Sequence, residues 1–346
     1  GPCVICVRHG RIFDLTDDVA TVSGAIARKH FSGGRDLGPV EQGLPTGWSL
    51  LSPVDLQCVK ACGVTFALSA IERVIEERAR GDAGKAAEIR GALEAKVGAG
   101  IRAVVPGSPE AAELKQALID AGMWSQYLEV AIGPDAGVFS KSPVLSTVGA
   151  GAEIGVRSDS AWINPEAEVV LAVDPRGEVV GATLGNDVNL RDVEGRSALL
   201  LGKAKDNNAS ASLGPFIRLF DASFSLADIK AAEIGLNVTG EDGFVLEGHS
   251  SMSQISRTPE SLVAAAIGRH HQYPDGFVIY LGTMFAPVKD RGGVGKGFTH
   301  KPNDIVTIST PKLGSLSNRV RLSTQCPPWT YGASHLLRDL AAAELL

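Results

Sequence analysis

Two glutamates one residue apart, Glu166 and Glu168, open an apolar run that continues Val169-Val170-Leu171-Ala172-Val173. Side chains alternate across a strand, so both glutamates project from one face, followed by Val170 and Ala172. Like charges on a half-buried face are costly unless something neutralises them. Asp174-Pro175-Arg176-Gly177 then has the residue order of a β-turn, with Asp first, Pro second and Gly last. A second run, Glu178 to Asp187, follows. Folded as a hairpin with Val173 opposite Glu178, the two runs set Val170 opposite Gly181, Glu168 opposite Thr183 and Glu166 opposite Gly185. Asp187 falls just beyond, at the same open end. Three carboxylates thus converge, and hard oxygen ligands in that number suit Mg²⁺ or Mn²⁺, with water or substrate completing the shell. Spacing alone leaves open the alternative that the glutamates flank a solvated edge strand.

The rest of the chain narrows the class. Its 346 residues are 44% hydrophobic and 21% charged, enough for a core and long for one domain. A net charge of −6 argues against broad nucleic-acid binding and against attraction to a membrane surface. No uncharged apolar stretch is long enough to span a bilayer. There is no leader pattern either, and the abrupt strand-like opening Cys3–Val7 leads us to expect a few native residues ahead of it. Five cysteines, with a lone CxxC at Cys3 and Cys6, predict reduced structural thiols and a cytoplasmic location.

Residues 1–110 mix short strands with helices and are expected to form a smaller α/β domain. Strands Cys3–Val7 and Arg11–Asp14 flank a His9-Gly10 turn. Ala70–Lys96 reads as a charged helical pair, broken near Gly81, with solvated faces. Ser108-Pro109-Glu110 marks a helix start and Gly122 its end. Residues 111–346 form the second expected unit, in which short β-rich runs alternate with Gly/Pro/Asp turns. One amphipathic helix, opening at Thr258-Pro259-Glu260 and running to His271, interrupts them. The pattern predicts an α+β chain whose larger part is β-rich with mixed sheets. Lys203 and Lys205 alternate as they would on one strand face.

At Glu166-Ala167-Glu168, followed by Gly181-Ala182-Thr183-Leu184-Gly185-Asn186-Asp187-Val188-Asn189-Leu190-Arg191-Asp192, the sequence resembles the metal-site signature of the fumarylacetoacetate hydrolase superfamily. Val138-Phe139-Ser140-Lys141, Gly202-Lys203-Ala204-Lys205-Asp206 with Gly214-Pro215-Phe216, and Ile279-Tyr280-Leu281-Gly282-Thr283 resemble further family motifs, in the family's order, across roughly residues 126–325. The resemblance implies a β-roll catalytic domain and a Mg²⁺ or Mn²⁺ ion held by Glu166, Glu168 and Asp187. It implies a small 2-oxo-carboxylate or 1,3-diketone substrate and a homodimer or homotetramer. Lys205 would lie beside the metal-bound oxygens. Thr283, with Gly282, would hold the substrate carboxylate, and Arg191 would complement its charge or fix the loop.

The departures narrow the reading. Family hydrolases carry Gly-x-Asn-Tyr-x-x-His-x-x-Glu before the catalytic domain. Here the matching residues are Gly63-Val64-Thr65-Phe66-Ala67-Leu68-Ser69-Ala70-Ile71-Glu72, with Ser69 at the histidine position and Glu72 retained. Hydrolytic C–C cleavage needs a base to activate water, and an unassisted serine is too weak a base. Glu194 stands where hydrolases often have glutamine, and a glycine-rich stretch, Lys289–Gly297, expands the loop after Thr283. A branch that lacks the histidine dehydrates 2-keto-3-deoxy sugar acids, and Asn189–Arg196 and Lys205-Asp206-Asn207-Asn208 resemble it. The expected reaction is dehydration of a 2-keto-3-deoxy-pentonate, D-xylonate or D-arabinonate type, to 2-oxoglutarate semialdehyde, as in pentose catabolism. Lys205 and Glu72 are the expected proton-transfer groups, with Ser69 beside them. The rivals are a C–C hydrolase of acylpyruvates or 2,4-diketo-3-deoxy sugar acids, drawing its base from His249 or Glu72, and a non-catalytic oxo-acid-binding protein.

Overall fold

The paired runs form the hairpin expected of them, in the middle of a larger sheet. The structure, a computed structural model, describes residues 1–93, 99–294 and 296–346. Lys96, the expected end of the charged helical pair, and Gly295 of the glycine-rich stretch lie outside the described residues. Strands Ala167–Val173 and Val179–Asp187 pair antiparallel. Ala211–Leu219 adds beyond the second, and Phe277–Tyr280, Cys58–Gly63 and Gly137–Ser142 follow beyond the first. The pairing of Phe277–Tyr280 with Cys58–Gly63 is parallel and the others are antiparallel, so this six-stranded sheet is mixed.

A five-stranded sheet packs against it, in the order Val245–Ser251, Glu233–Thr239, Ile305–Thr310, Gly314–Leu322 and Glu153–Val156. The largest apolar cluster joins their facing sides, with Val169, Leu171, Leu184 and Ile279 from one sheet and Leu236, Ile308, Leu316 and Val320 from the other. Both sheets are open, and the chain is the β-rich α+β protein with mixed sheets expected from its pattern. Ile5–Arg8, Arg11–Asp14 and Arg35–Pro39 make a separate three-stranded sheet. Among the described residues no helix is long and apolar enough to cross a membrane.

The hairpin register corrects the expected one. Asp174–Gly177 closes as a turn, with the Gly177 N–H donating to the Asp174 carbonyl at 2.9 Å. However, Val173 pairs with Val179, and a bulge next to it leaves Val170 opposite Thr183 and Glu168 opposite Gly185. The net slip is two residues. Because the side-chain period is also two, every side chain keeps its expected face.

Three local readings also change. Helix Ala67–Arg78 is not solvated, because it is buried on two sides. Ala70, Ile71, Val74 and Ile75 enter a second apolar cluster with Leu118, Leu128 and Ile132 of neighbouring helices. Ser69, Glu72, Arg73 and Glu76 recur at helical spacing on another stripe, and all are buried, with Arg73 reaching Glu166 and with Glu72 and Glu76 meeting Arg191 just beyond the hairpin. The helix at Thr258 ends at Ala266, so His270 and His271 follow it rather than cap it. Lys203 and Lys205 lie in a short helix, Leu201–Lys205, rather than a strand.

The chain beyond Thr283 is pinned by charge. The Arg291 guanidinium is bidentate to Asp304, at 2.7 and 2.8 Å, and donates to Asp242 at 2.8 Å. Breaking a buried pair strands the remaining charge. Arg291→Met is therefore expected to lower stability by about 3 kcal/mol, read from urea unfolding midpoints.

Candidate metal centre

Glu166 and Glu168 flank the first residue of strand Ala167–Val173, and Asp187 ends the partner strand, where its N–H donates to the Glu166 carbonyl at 3.0 Å. All three carboxylates are buried, and one oxygen of each lies within 4.8 Å of the others. Lys205 Nζ bridges two of them, 2.5 Å from Glu166 and 2.9 Å from Asp187. Lys141, wholly buried, pairs with the other Asp187 oxygen at 2.8 Å. Arg73 reaches Glu166 from helix Ala67–Arg78 and also pairs with Glu76 at 2.6 Å and Glu194 at 3.2 Å.

Glu168 is the exception. Its Oε2 accepts the Gly282 N–H at 2.7 Å, but its Oε1 has no hydrogen-bond partner. Burial, with Asp187 and Glu166 close by, pushes its carboxyl well above the usual range. Asp187 moves the other way. Burial raises it, and Lys141 and Lys205 together outweigh burial. For Lys205 burial favours the neutral amine, yet Asp187, Glu166 and Glu194 prevail and hold it above its ordinary value, so it stays charged. An unpartnered carboxylate oxygen beside two further carboxylates, all hard donors, fits a divalent cation of the Mg²⁺ or Mn²⁺ kind.

Charge balance agrees with that fit. Glu72, Glu76, Glu166, Glu168, Asp187 and Glu194 are buried together with Arg73, Lys141, Arg191 and Lys205. Arg90, half-buried, donates twice to Glu72, at 2.7 Å each. Among the described residues of this network, carboxylates outnumber cations by one. A dication would reverse the imbalance to one positive charge, which a monoanionic acid would cancel.

The remaining expected site residues gather on one side of the carboxylates. Ser69, Glu72, Thr283 and Arg191 line a small cavity together with Arg73 and Asn164. The Ser69 hydroxyl donates to the Phe66 carbonyl at 2.9 Å. Burial raises the Glu72 carboxyl, but Arg90 and Arg191 outweigh it and keep the group ionised below its ordinary value. Arg191 donates to Glu76 at 2.6 Å, to Glu72 at 2.7 Å and to the Pro287 carbonyl at 3.3 Å, and it lies over the Trp162 ring. The Thr283 hydroxyl and the Phe285 backbone exchange hydrogen bonds of 3.2 Å. Gly282 has φ +99°, and a Cβ there would meet Thr65 Oγ1 at 2.0 Å, so a side chain would displace the N–H that orients Glu168. His249 stands apart, exposed on strand Val245–Ser251 and paired with Glu233 at 2.8 Å. Arg73, Glu76 and Lys141 received no role from sequence. The stripe of Ser69, Glu72, Arg73 and Glu76 was the available signal for the first two.

Comparison with known proteins agrees with this architecture. A family model described as fumarylacetoacetate (FAA) hydrolase C-terminal matches residues 129–321. The 2-dehydro-3-deoxy-D-arabinonate dehydratase of Saccharolobus solfataricus is 30% identical over 184 residues, 53% of this chain and 58% of that protein. The probable 2-keto-3-deoxyxylonate dehydratase of Haloferax volcanii is 31% identical over 201 residues, 58% of this chain and 65% of that protein. The match thus spans less than two thirds of either relative. A solved 2-keto-3-deoxy-D-arabinonate dehydratase, complexed with magnesium and 2,5-dioxopentanoate, shares the fold with a TM-score of 0.64 at 21% identity, over 92% of this chain and 94% of that one.

The Glu168 carboxyl gives the site a pH signature. A raised carboxyl value favours the metal-free fold below the unfolded value of about 4.3, and that advantage is lost as pH rises toward the folded value. Glu168→Gln removes the ionisation. At about pH 8 the metal-free variant is expected to be more stable than the unsubstituted protein by about 1–3 kcal/mol, and at about pH 4 the two should match. Calorimetry with Mg²⁺ should give a binding isotherm for the unsubstituted protein and none for the variant.

Proposed function

Because the chain belongs to the fumarylacetoacetate hydrolase family, we propose that it is a metal-dependent dehydratase of 2-keto-3-deoxy-pentonates of the D-xylonate or D-arabinonate type. The product would be 2-oxoglutarate semialdehyde (2,5-dioxopentanoate), the compound bound in the solved dehydratase of the same fold. One observation carries the choice within the family. Where a hydrolase would carry a histidine base beside its glutamate, this chain has Ser69, whose hydroxyl donates a hydrogen bond to the Phe66 carbonyl, and Glu72, still ionised, is paired with Arg90 and Arg191. His249, the other candidate base, is paired with Glu233 on an exposed strand. Activation of water for C–C cleavage therefore lacks the histidine base of the hydrolases, whereas removal of water can draw on Lys205 beside the carboxylates and Glu72 on the cavity wall.

Glu166, Glu168 and Asp187 would hold the cation. Bound there, it would supply Lewis-acid polarisation of a 2-oxo acid, which acidifies the adjacent carbon. Thr283 and Gly282 would seat the substrate carboxylate, and Arg191 would set the positive potential of the cavity. In the overall change a C3 proton and the C4 hydroxyl leave as water. A C5 proton is then lost as C3 is reprotonated, and the resulting C5 enol gives up its hydroxyl proton as C4 is protonated, leaving C5 as the aldehyde carbon. Lys205, charged and wedged against Glu166 and Asp187, is assigned to proton delivery at the departing hydroxyl. Glu72, ionised on the cavity wall, is assigned to the complementary transfer. The family resemblance also carries an expectation of a homodimer or homotetramer, which light scattering measures.

The purified protein with Mg²⁺ is expected to convert 2-keto-3-deoxy-D-xylonate or its arabinonate epimer to the semialdehyde, detected by a coupled aldehyde dehydrogenase. Lys205→Met is expected to lower kcat by about 10²-fold or more. Pyruvate release from an acylpyruvate, with no turnover of either sugar acid, would replace this reading with the hydrolase.

A further inference from the structure

The carboxylate ladder continues for one more rung, and that rung is not acidic. Ile163–Asn164 pairs antiparallel with Asn189–Leu190, setting Asn164 opposite Asn189. The hairpin sets Ala167 opposite Asn186 and Glu168 opposite Gly185 in the same register. Asn164 therefore lies two residues before Glu166, and Asn189 two residues after Asp187. With a side-chain period of two, both amides share the face of the carboxylates, about 7 Å further along the strands.

Both side chains are buried, Asn164 at 2% exposure and Asn189 at 0%. Asn164 Nδ2 donates to the Pro165 carbonyl at 3.1 Å, which leaves its Oδ1 without a partner. Neither Nδ2 nor Oδ1 of Asn189 has one. Buried amides are ordinarily satisfied, so three unpaired N and O atoms on one rung call for a ligand. Asn164 also lines the cavity that holds Ser69, Glu72, Arg73 and Thr283. The free atoms include an amide donor and carbonyl acceptors. A hydroxyl group, which both donates and accepts, matches such a set, whereas a carboxylate or an alkyl chain does not.

We infer that Asn164 and Asn189 read a hydroxyl on the carbon chain of the bound acid, selecting 2-oxo acids that carry one beyond the oxo group. This inference rests on the oxo-acid reading of the carboxylate site. An acid anchored there by its oxo-carboxylate end extends toward the amide rung with its polyol end. An acid without that hydroxyl leaves the amides unpaired and gains nothing from them.

Turnover of 2-keto-3-deoxy-D-xylonate and -arabinonate with Mg²⁺ tests this, alongside the inhibition constant of 2-oxopentanoate, which has the same carbon count and no hydroxyl. N164A and N189A should each raise KM for the sugar acid about tenfold or more, leaving the 2-oxopentanoate constant within about twofold. The variants N164S and N189S retain a small hydrogen-bonding group and should recover part of the loss. They also keep the test open if an alanine variant fails to fold. Constants for both acids that rise together, or that both stay put, overturn the inference and leave the amides a structural or water-holding role. If the unsubstituted protein neither turns over the sugar acids nor binds 2-oxopentanoate, the oxo-acid reading fails and this inference fails with it. If it handles both acids and the variants do not discriminate between them, only the amide pair is lost.

Discussion

Charge compensation in a dry interior governs this molecule. Glu166, Glu168 and Asp187 leave water at the open end of one hairpin, and Glu72, Glu76 and Glu194 are buried beside them. Each carboxylate except Glu168 is met by at least one cationic side chain: Arg73, Lys141, Arg191 and Lys205 from inside, and Arg90 from the margin. The pairs alternate in sign from Arg90 through Glu72, Arg191, Glu76 and Arg73 to Glu166. Removing one member of such a chain costs about 3–5 kcal/mol, because its partner is left charged in a low dielectric. Helix Ala67–Arg78 is thus bound to the hairpin by electrostatics on one stripe and to its neighbouring helices by apolar packing on another.

That arrangement also bears on the chemistry. Five of the six carboxylates are compensated, and the sixth has an oxygen with no partner, which is the condition for binding a cation rather than merely tolerating a charge. Glu72 occupies the position of a hydrolase glutamate, but two arginines hold its carboxylate, and no histidine accompanies it. On the proposed reading, the same backbone frame would support removal of water in place of its addition, through a change at Ser69 and in the partners of Glu72. Fold alone would not have distinguished the two reactions.

Much of the site is legible in the chain because its rules are local. Alternation along Pro165–Val173 sets both glutamates on one face. The turn at Asp174–Gly177 folds Asp187 back to meet them. Even the missed bulge beside Val173 was harmless, since a slip of two residues preserves every face. Helix ends after Ser108 and at the start of Pro259 followed from their caps.

What stayed hidden depends on partners distant in sequence. Arg73 and Glu76 have the composition of a solvated helix face, and nothing local announces that Glu166, Arg191 and Glu194 will be packed against them. Lys141 reads as an ordinary strand lysine until Asp187 comes to lie 2.8 Å away. Lys203 and Lys205 alternate like strand residues, yet packing makes that segment a helix and sends Lys205 inward, while Lys203 stays half-exposed beside Asp159. Local periodicity specifies which residues share a face. The charge that a face meets is specified only when strands and helices far apart in the chain close over it, because burial of an ion depends on its partners.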